Sequence, residues 1–219
     1  MLLLSREDIK SVFTMNDSIE AVKKAFMLYS DGKSEVPLRT NIQVPEHNGT
    51  LLFMPAYVGD LDTASLKIVN IFPENVKKGL PTAPAQVLLI DTNTGIVEAV
   101  LDGTYVTQLR TGAASGAAFD ALAVKDAKVG ALIGTGGQAA TQLEAMLCAR
   151  KLEKVKIFDM CKERLDAFVE RMSAELAEYG AELIAAESSD DAVTDADILV
   201  TMTPAKTPVF DASKCKKGV

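Results

Sequence analysis

Two stretches decide how this chain folds: Val129-Gly130-Ala131-Leu132-Ile133-Gly134-Thr135-Gly136-Gly137-Gln138-Ala139 and, after an intervening helix, Val155-Lys156-Ile157-Phe158-Asp159. The first begins as a short apolar strand, turns through glycines and enters a helix. Its turn satisfies G-x-G-x-x-G/A with Ala139 in the third place. Gly134 permits a tight turn, Gly136 lets backbone approach a pyrophosphate, and Ala139 is small enough for close helix–strand packing. Helix N-terminal N–H groups then face an anion. Asp159 closes the second strand, where a carboxylate accepts from a ribose 2′-OH and repels a 2′-phosphate; Met160 rather than an arginine follows it. This pattern favours NAD over NADP. A glycine-rich turn without ligand, and an Asp159 that caps the next helix, are the plainer readings; the ribose and capping roles are compatible.

Outward from this motif the pattern alternates. The sequence predicts strands at 129–133, 155–158, 182–185 and 198–201, and helices at 138–150, 162–179 and 189–193. Leu165, Phe168, Val169, Met172, Leu176 and Tyr179 share one helical face, and Gly180 stops that helix. Such alternation implies a parallel sheet with crossover helices. Past the last strand, Thr201 and Thr203 either line a cofactor cleft or cap a turn.

Upstream the grammar differs. Residues 1–35 read as two helices. Ser5 caps the first with Asp8 three residues on, and Asn16 or Asp17 opens the second. Ile19, Val22, Phe26 and Tyr29 form its expected buried stripe, and Asp31-Gly32 ends it. Residues 36–101 change to short strands, with Leu51–Val58, Ala64–Ile71, Val87–Ile90 and Ile96–Leu101 the clearest. Pro45–Gly49 and Asp91–Gly95 read as hairpin turns. The Ala-rich stretch 104–123 reads as a helix whose Gly112 and Gly116 suit close packing. The expected organisation is an α/β chain: an α+β substrate and dimerisation domain over 1–123, then a Rossmann-type dinucleotide-binding domain over 124–219 that stops before its fifth strand.

Composition narrows the partners. With 23 Lys+Arg against 30 Asp+Glu, the net charge of −7 argues against nucleic acid or an acidic membrane surface. No apolar run approaches the roughly 18–20 residues of a membrane span, and MLLLSRED lacks the basic start of a signal peptide. Three widely spaced cysteines, Cys148, Cys161 and Cys215, fit reduced thiols in a cytoplasmic protein. One histidine, His47, lies in a polar turn, which leaves no set for a His/Cys zinc site. Chemistry therefore falls to lysine, arginine, aspartate or a cofactor. Arg39 after Pro37-Leu38, Lys67 among apolar neighbours and Arg110 in a helix are the cationic candidates. An arginine can hold a carboxylate through two parallel hydrogen bonds, and a lysine in apolar surroundings can exchange protons. Spacing alone does not separate these roles from solvated surface cations.

The run Leu66-Lys67-Ile68-Val69-Asn70-Ile71-Phe72-Pro73-Glu74-Asn75, then Gly79-Leu80-Pro81-Thr82, Leu109-Arg110-Thr111-Gly112-Ala113-Ala114 and the Gly-Thr-Gly-Gly-Gln-Ala turn, resembles the ornithine cyclodeaminase/mu-crystallin family across the chain. The resemblance implies an NAD-dependent oxidoreductase of a small amino or imino acid, of the alanine dehydrogenase or ketimine reductase type. A cyclodeaminase of ornithine or lysine that recycles NAD, and a non-catalytic binding protein, are the alternatives. It also implies roles. Arg39 and Arg110 hold the substrate carboxylate, Lys67 is the catalytic lysine, and Met54 lines the substrate pocket. Thr82, Arg110, Gly134, Gly136, Gly137, Gln138 and Asp159 contact cofactor, with Thr201 and Thr203 nearby. It implies a homodimer paired through the first region's sheet, and a proton-transfer aspartate that would follow a fifth strand beyond Val219.

Overall fold

A computed structural model describes residues 1–219. Its backbone separates into two compact units, Met1–Thr14 with Ala21–Leu109 and Met15–Glu20 with Arg110–Val219. No helix is long and apolar enough to cross a membrane.

The first unit opens with β1 (Leu2–Leu4), α1 (Arg6–Val12) and α2 (Met15–Ser30), of which the first turns of α2 group with the second unit. Ser5 and Asp8 exchange the two bonds of a capping box, so α1 begins where the sequence places it. Then come β2 (Ser34–Glu35), β3 (Thr40–Val44), β4 (Gly49–Val58), β5 (Thr63–Ile71), β6 (Ala85–Ile90) and β7 (Val97–Asp102). They form a sheet ordered β1-β7-β6-β5-β4-β2, with β3 also on β4; β1 runs parallel to β7 and the other pairs are antiparallel. Asn48 and Asp62 take the left-handed conformation in the turns that reverse β3 into β4 and β4 into β5. Cross-strand partners share a face, so Val69, Ala85 and Ala99, all buried, lie on the same side as Lys67. The opposite side carries Ile42 and Tyr57, both exposed.

Two expectations need correction here. β1 occurs where residues 1–35 were expected to hold two helices and no strand; Leu2 and Leu3 are exposed and the strand is held by pairing to β7. The expected stripe on α2 is only partly buried: Ile19 is buried, but Phe26 and Tyr29 are 55% and 60% exposed, while Leu28 is buried. At 100° per residue Leu28 lies opposite Ile19, so the helix changes its buried side along its length.

The second unit holds most of α3 (Gly103–Leu122), then β8 (Val129–Ile133), α4 (Ala139–Ala149), β9 (Lys154–Phe158), α5 (Lys162–Glu175), β10 (Glu182–Ala185), α6 (Ser189–Val193) and β11 (Ile198–Thr201). The sheet is parallel throughout in the order β10-β9-β8-β11. Successive strands step outward from β8 to β10, and β11 then returns to the other side of β8. That reversal is a topological switch point, where open α/β sheets bind ligands beyond the strands' carboxyl ends. Leu132, Leu143, Met146, Val155 and Ile157 form a closed core, with the α5 face of Leu165, Phe168 and Met172 against it. The small residues of α3 are required: a Cβ on Gly112 would fall 2.4 Å from the Thr141 carbonyl oxygen. Buried Arg150 finishes α3 by donating to the carbonyls of Asp120, Ala123 and Val124 and to the Asp120 carboxylate.

Candidate functional site

The glycine turn sits at the switch point. Gly134 adopts φ +99°, and a Cβ there would fall 2.6 Å from the Met202 carbonyl oxygen. The Gly134 N–H donates to the Phe158 carbonyl at 2.8 Å and the Met202 N–H to the Ile133 carbonyl at 2.7 Å, which ties the ends of β8, β9 and β11 together. Gly136 is the reverse case. Nothing lies within 4 Å of where its Cβ would stand, so its backbone is open to a ligand. Ala139 is fully buried behind it. Gln138 stands at the N-cap of α4 without a side-chain capping bond, and its buried Oε1 has no partner. This open backbone before an uncapped helix start suits a pyrophosphate.

Asp159 is buried at the end of β9. Its Oδ2 accepts from the Thr135 N–H at 2.9 Å and the Thr135 hydroxyl at 2.8 Å. Its Oδ1 accepts from the Cys161 N–H at 2.9 Å and from Arg164 Nη2 at 2.6 Å. Burial alone would push this carboxyl up. The Arg164 guanidinium, the Cys161 and Thr135 N–H groups and the Thr135 hydroxyl outweigh it and hold the carboxyl well below its ordinary 3.8. Cys161, not Asp159, is the N-cap residue of α5, although Asp159 satisfies its N–H.

A cavity of about 650 Å³ opens here, lined on one side by Gly134, Thr135 and Gly136, on another by Phe158, Asp159, Met160 and Arg164, and on a third by Met202, Thr203 and Pro204. Its size and mainly apolar wall with a few convergent polar groups are those of a small-molecule site. Of the residues named from sequence, Gly134, Gly136, Asp159 and Thr203 line it; Gly137, Gln138 and Thr201 flank it in the chain without lining it. Sequence reasoning missed Thr135 and Arg164. Thr135 was legible as the variable residue of the motif, with a hydroxyl beside the strand end. Arg164 lies only five residues after Asp159, in the first turn of α5, and that short spacing to a strand-end carboxylate was the signal that could have found it.

The substrate candidates lie elsewhere. Arg110 is exposed on α3, and partial desolvation lowers its pKa from the usual arginine value without removing its charge. The next carbonyl, that of Thr111, accepts from Nε2 of buried Gln142 on α4 at 3.1 Å. In the first unit Lys67 is half-buried in β5, directly between Met54 on β4 and Val87 on β6. Both cross-strand partners are apolar. Arg39 is exposed just before β3. Thr82 is exposed in the connection to β6, and its carbonyl accepts from the Phe72 N–H at 2.9 Å. His47 is exposed in the turn between β3 and β4.

Comparison with known proteins adds to this geometry. The sequence matches the ornithine cyclodeaminase/mu-crystallin family over residues 1–219. It is 36% identical to the Delta(1)-pyrroline-2-carboxylate reductase of Bacillus cereus over 100% of this chain and 66% of that protein. The fold superposes with a TM-score of 0.93, at 43% identity, on the Thermococcus litoralis Delta(1)-pyrroline-2-carboxylate reductase solved with NADH and L-proline, covering 100% of this chain and 67% of that one. An archaeal alanine dehydrogenase dimer with bound NAD superposes at a TM-score of 0.87 and 35% identity, covering 100% of this chain and 65% of that one. The chain thus spans about two thirds of the length of the relatives it matches.

Proposed function

We propose a function on one premise: the chain belongs to the ornithine cyclodeaminase/mu-crystallin family. The protein is an NAD-dependent oxidoreductase of a small amino or imino acid. The observation that carries this reading is the cavity at the switch point, where an open Gly136 backbone faces an uncapped helix start and a buried carboxylate stands at the next strand end. Residues 124–219 form its dinucleotide part. Gly134, Gly136, Gly137 and Gln138 present the pyrophosphate turn, Asp159 takes the adenosine ribose, and Thr201 and Thr203 border the nicotinamide end. Residues 1–123 serve the substrate and the dimer, with Thr82 reaching the cofactor.

Bound NAD supplies the hydride exchange at the substrate α-carbon. The chain's own residues do the rest. Arg39 and Arg110 hold the substrate carboxylate by charge-assisted bonds and so orient the α-carbon. Lys67, set between Met54 and Val87, carries a proton to or from the substrate nitrogen. Met54 offers the apolar wall for the side chain. A homodimer covers the sheet face that bears Ile42 and Tyr57; its support is their exposure, together with the dimeric relative. Free thiols at Cys148, Cys161 and Cys215 support a reducing, cytoplasmic setting.

The test is turnover by the full-length protein. Cyclic imino acids should drive NADH oxidation, and small amino acids should drive NADH formation. Lys67→Ala should lower kcat by a factor of about 100 or more, within the range for loss of a general acid–base group. Ammonia release without net NADH would assign cyclodeamination instead. Tight NAD binding with no turnover of any amino or imino acid would make the protein a binding module.

A further inference from the structure

We infer that Gln142 is a positioning residue for substrate capture: it pins the turn of α3 that carries Arg110 against α4, the helix that starts at the glycine turn. The inference rests on the reading above in which Arg110 holds the substrate carboxylate, and it concerns how that arginine is placed.

Gln142 lies on α4 one turn after Gln138 and is buried, 2% exposed. Its Nε2 donates to the Thr111 carbonyl at 3.1 Å, while its Oε1 is buried without a partner. A carbonyl only accepts, so this bond fixes which end of the amide faces α3 and leaves the amide oxygen unmatched. Thr111 does not need the bond. It lies inside α3, where a helical carbonyl already accepts the N–H four residues on, so Gln142 takes a second lone pair. Methionine has nearly the same length and shape as glutamine and would fill the space without stranding an oxygen. The amide is thus a locally costly choice for a buried position. A cost kept in a core points to what the bond holds in place rather than to packing.

What it holds is a helix crossing. A Cβ on Gly112 would fall 2.4 Å from the Thr141 carbonyl oxygen, and one on Gly116 would fall 3.3 Å from the Ala145 Cβ, so α3 and α4 approach closely here. Glycines permit the approach but offer no side chain to stop one helix from sliding or turning on the other. The bond from Gln142 is directional and does so, and the residue it grips follows Arg110 directly. At its other end the link leads within one turn to Gln138 and on to the open Gly136 backbone that suits a pyrophosphate. One buried amide therefore ties the arginine's helix to the cofactor's helix.

A carboxylate that does not itself react is held alike in the ground and transition states, so a loosened clamp shows mainly in KM. Steady-state kinetics of the full-length protein with a cyclic imino acid and NADH, calorimetric titration with NADH and thermal unfolding test this together. Gln142→Met should raise the imino-acid KM by about fivefold or more and change kcat by less than about threefold. It should leave the NADH Kd within about twofold and Tm equal or higher, since it removes a stranded oxygen. Combined with Arg110→Ala it should raise KM no further than Arg110→Ala alone, because a pin does nothing once the group it places is gone. Three results each overturn the inference and leave the carboxylate reading standing: an unchanged KM in Gln142→Met where Arg110→Ala raises it, additive effects in the double variant, or a Tm lower by about 4 °C or more. Arg110→Ala with the wild-type KM overturns that reading and the inference with it. Gln142→Leu carries the test if Gln142→Met does not fold.

Discussion

In the four-stranded sheet Leu132, Val155 and Ile157 are fully buried; in the larger sheet Val69 is buried on one face while Ile42 and Tyr57 stand exposed on the other. The contrast follows from connectivity. Parallel strands need crossover connections, and α4 and α5 supply apolar faces from within the same unit. Antiparallel strands joined by tight turns bring no helix with them, and such a sheet can leave one face open to water, as the face with Ile42 and Tyr57 is here. The first arrangement packs its strands against helices of its own unit. The second leaves Ile42 and Tyr57 in solvent.

Matched truncations put the largest strain on this comparison. Ile157→Ala should destabilise the protein by about 4 kcal/mol, because a fully buried isoleucine leaves a cavity behind. Ile68→Ala, on the face shared with Tyr57, should cost well under half of that in dilute protein, since the side chain is only half-buried. Urea unfolding at two protein concentrations is the measurement. Equal costs at both concentrations would end the contrast between the sheets. A cost for Ile68→Ala that grows with concentration would sharpen it, by showing that a second copy covers the face.

A smaller effect concerns the carboxylate that anchors the smaller sheet's site. Asp159 is held below its ordinary 3.8, so it stabilises the folded state above that pH and loses this contribution as pH falls through the depressed value. Asp159→Asn should cost about 2 kcal/mol at neutral pH, the scale of lost bonds to a charged acceptor. The gap between variant and wild type should close as pH falls below about 4. A gap that persists unchanged at pH 2 would assign the effect to packing rather than charge. The larger sheet offers a control in Lys33–Asp60, an ion pair half-exposed on both sides, whose removal should leave no comparable acid signature.

Legibility in the sequence divides along the same line. In the second unit the strands over 129–133, 182–185 and 198–201 and the apolar face of α5 follow from local pattern, because short apolar runs and a helical stripe both point into a core built from adjacent elements. The glycine turn and Asp159 were equally plain, since that chemistry sits on one strand–turn–helix and the next strand end. In the first unit β1 went unread: Leu2–Leu4 is a strand only because β7, almost a hundred residues away, pairs with it. The opposition of Lys67 to Met54 and Val87 likewise depends on register, which no local spacing states.

The smallest expected effect tests the one stripe that sequence periodicity misjudged. Ile19, Val22, Phe26 and Tyr29 recur at helical spacing, and a helix against a single flat surface would bury all four. α2 does not meet a single surface: its first turns belong with the second unit and bury Met15 and Ile19, and its later turns belong with the first and bury Leu28 on the opposite side. Phe26 therefore keeps the phase of the first contact after that contact has ended. Phe26→Ser should change stability by no more than about 0.5 kcal/mol, as for a surface position, and should improve solubility. A cost above about 1.5 kcal/mol would mean that Phe26 is covered in solution. The surface under test with Ile68→Ala would then include the later turns of α2 as well as the open sheet face, and the cost of Phe26→Ser should depend on protein concentration in the same way.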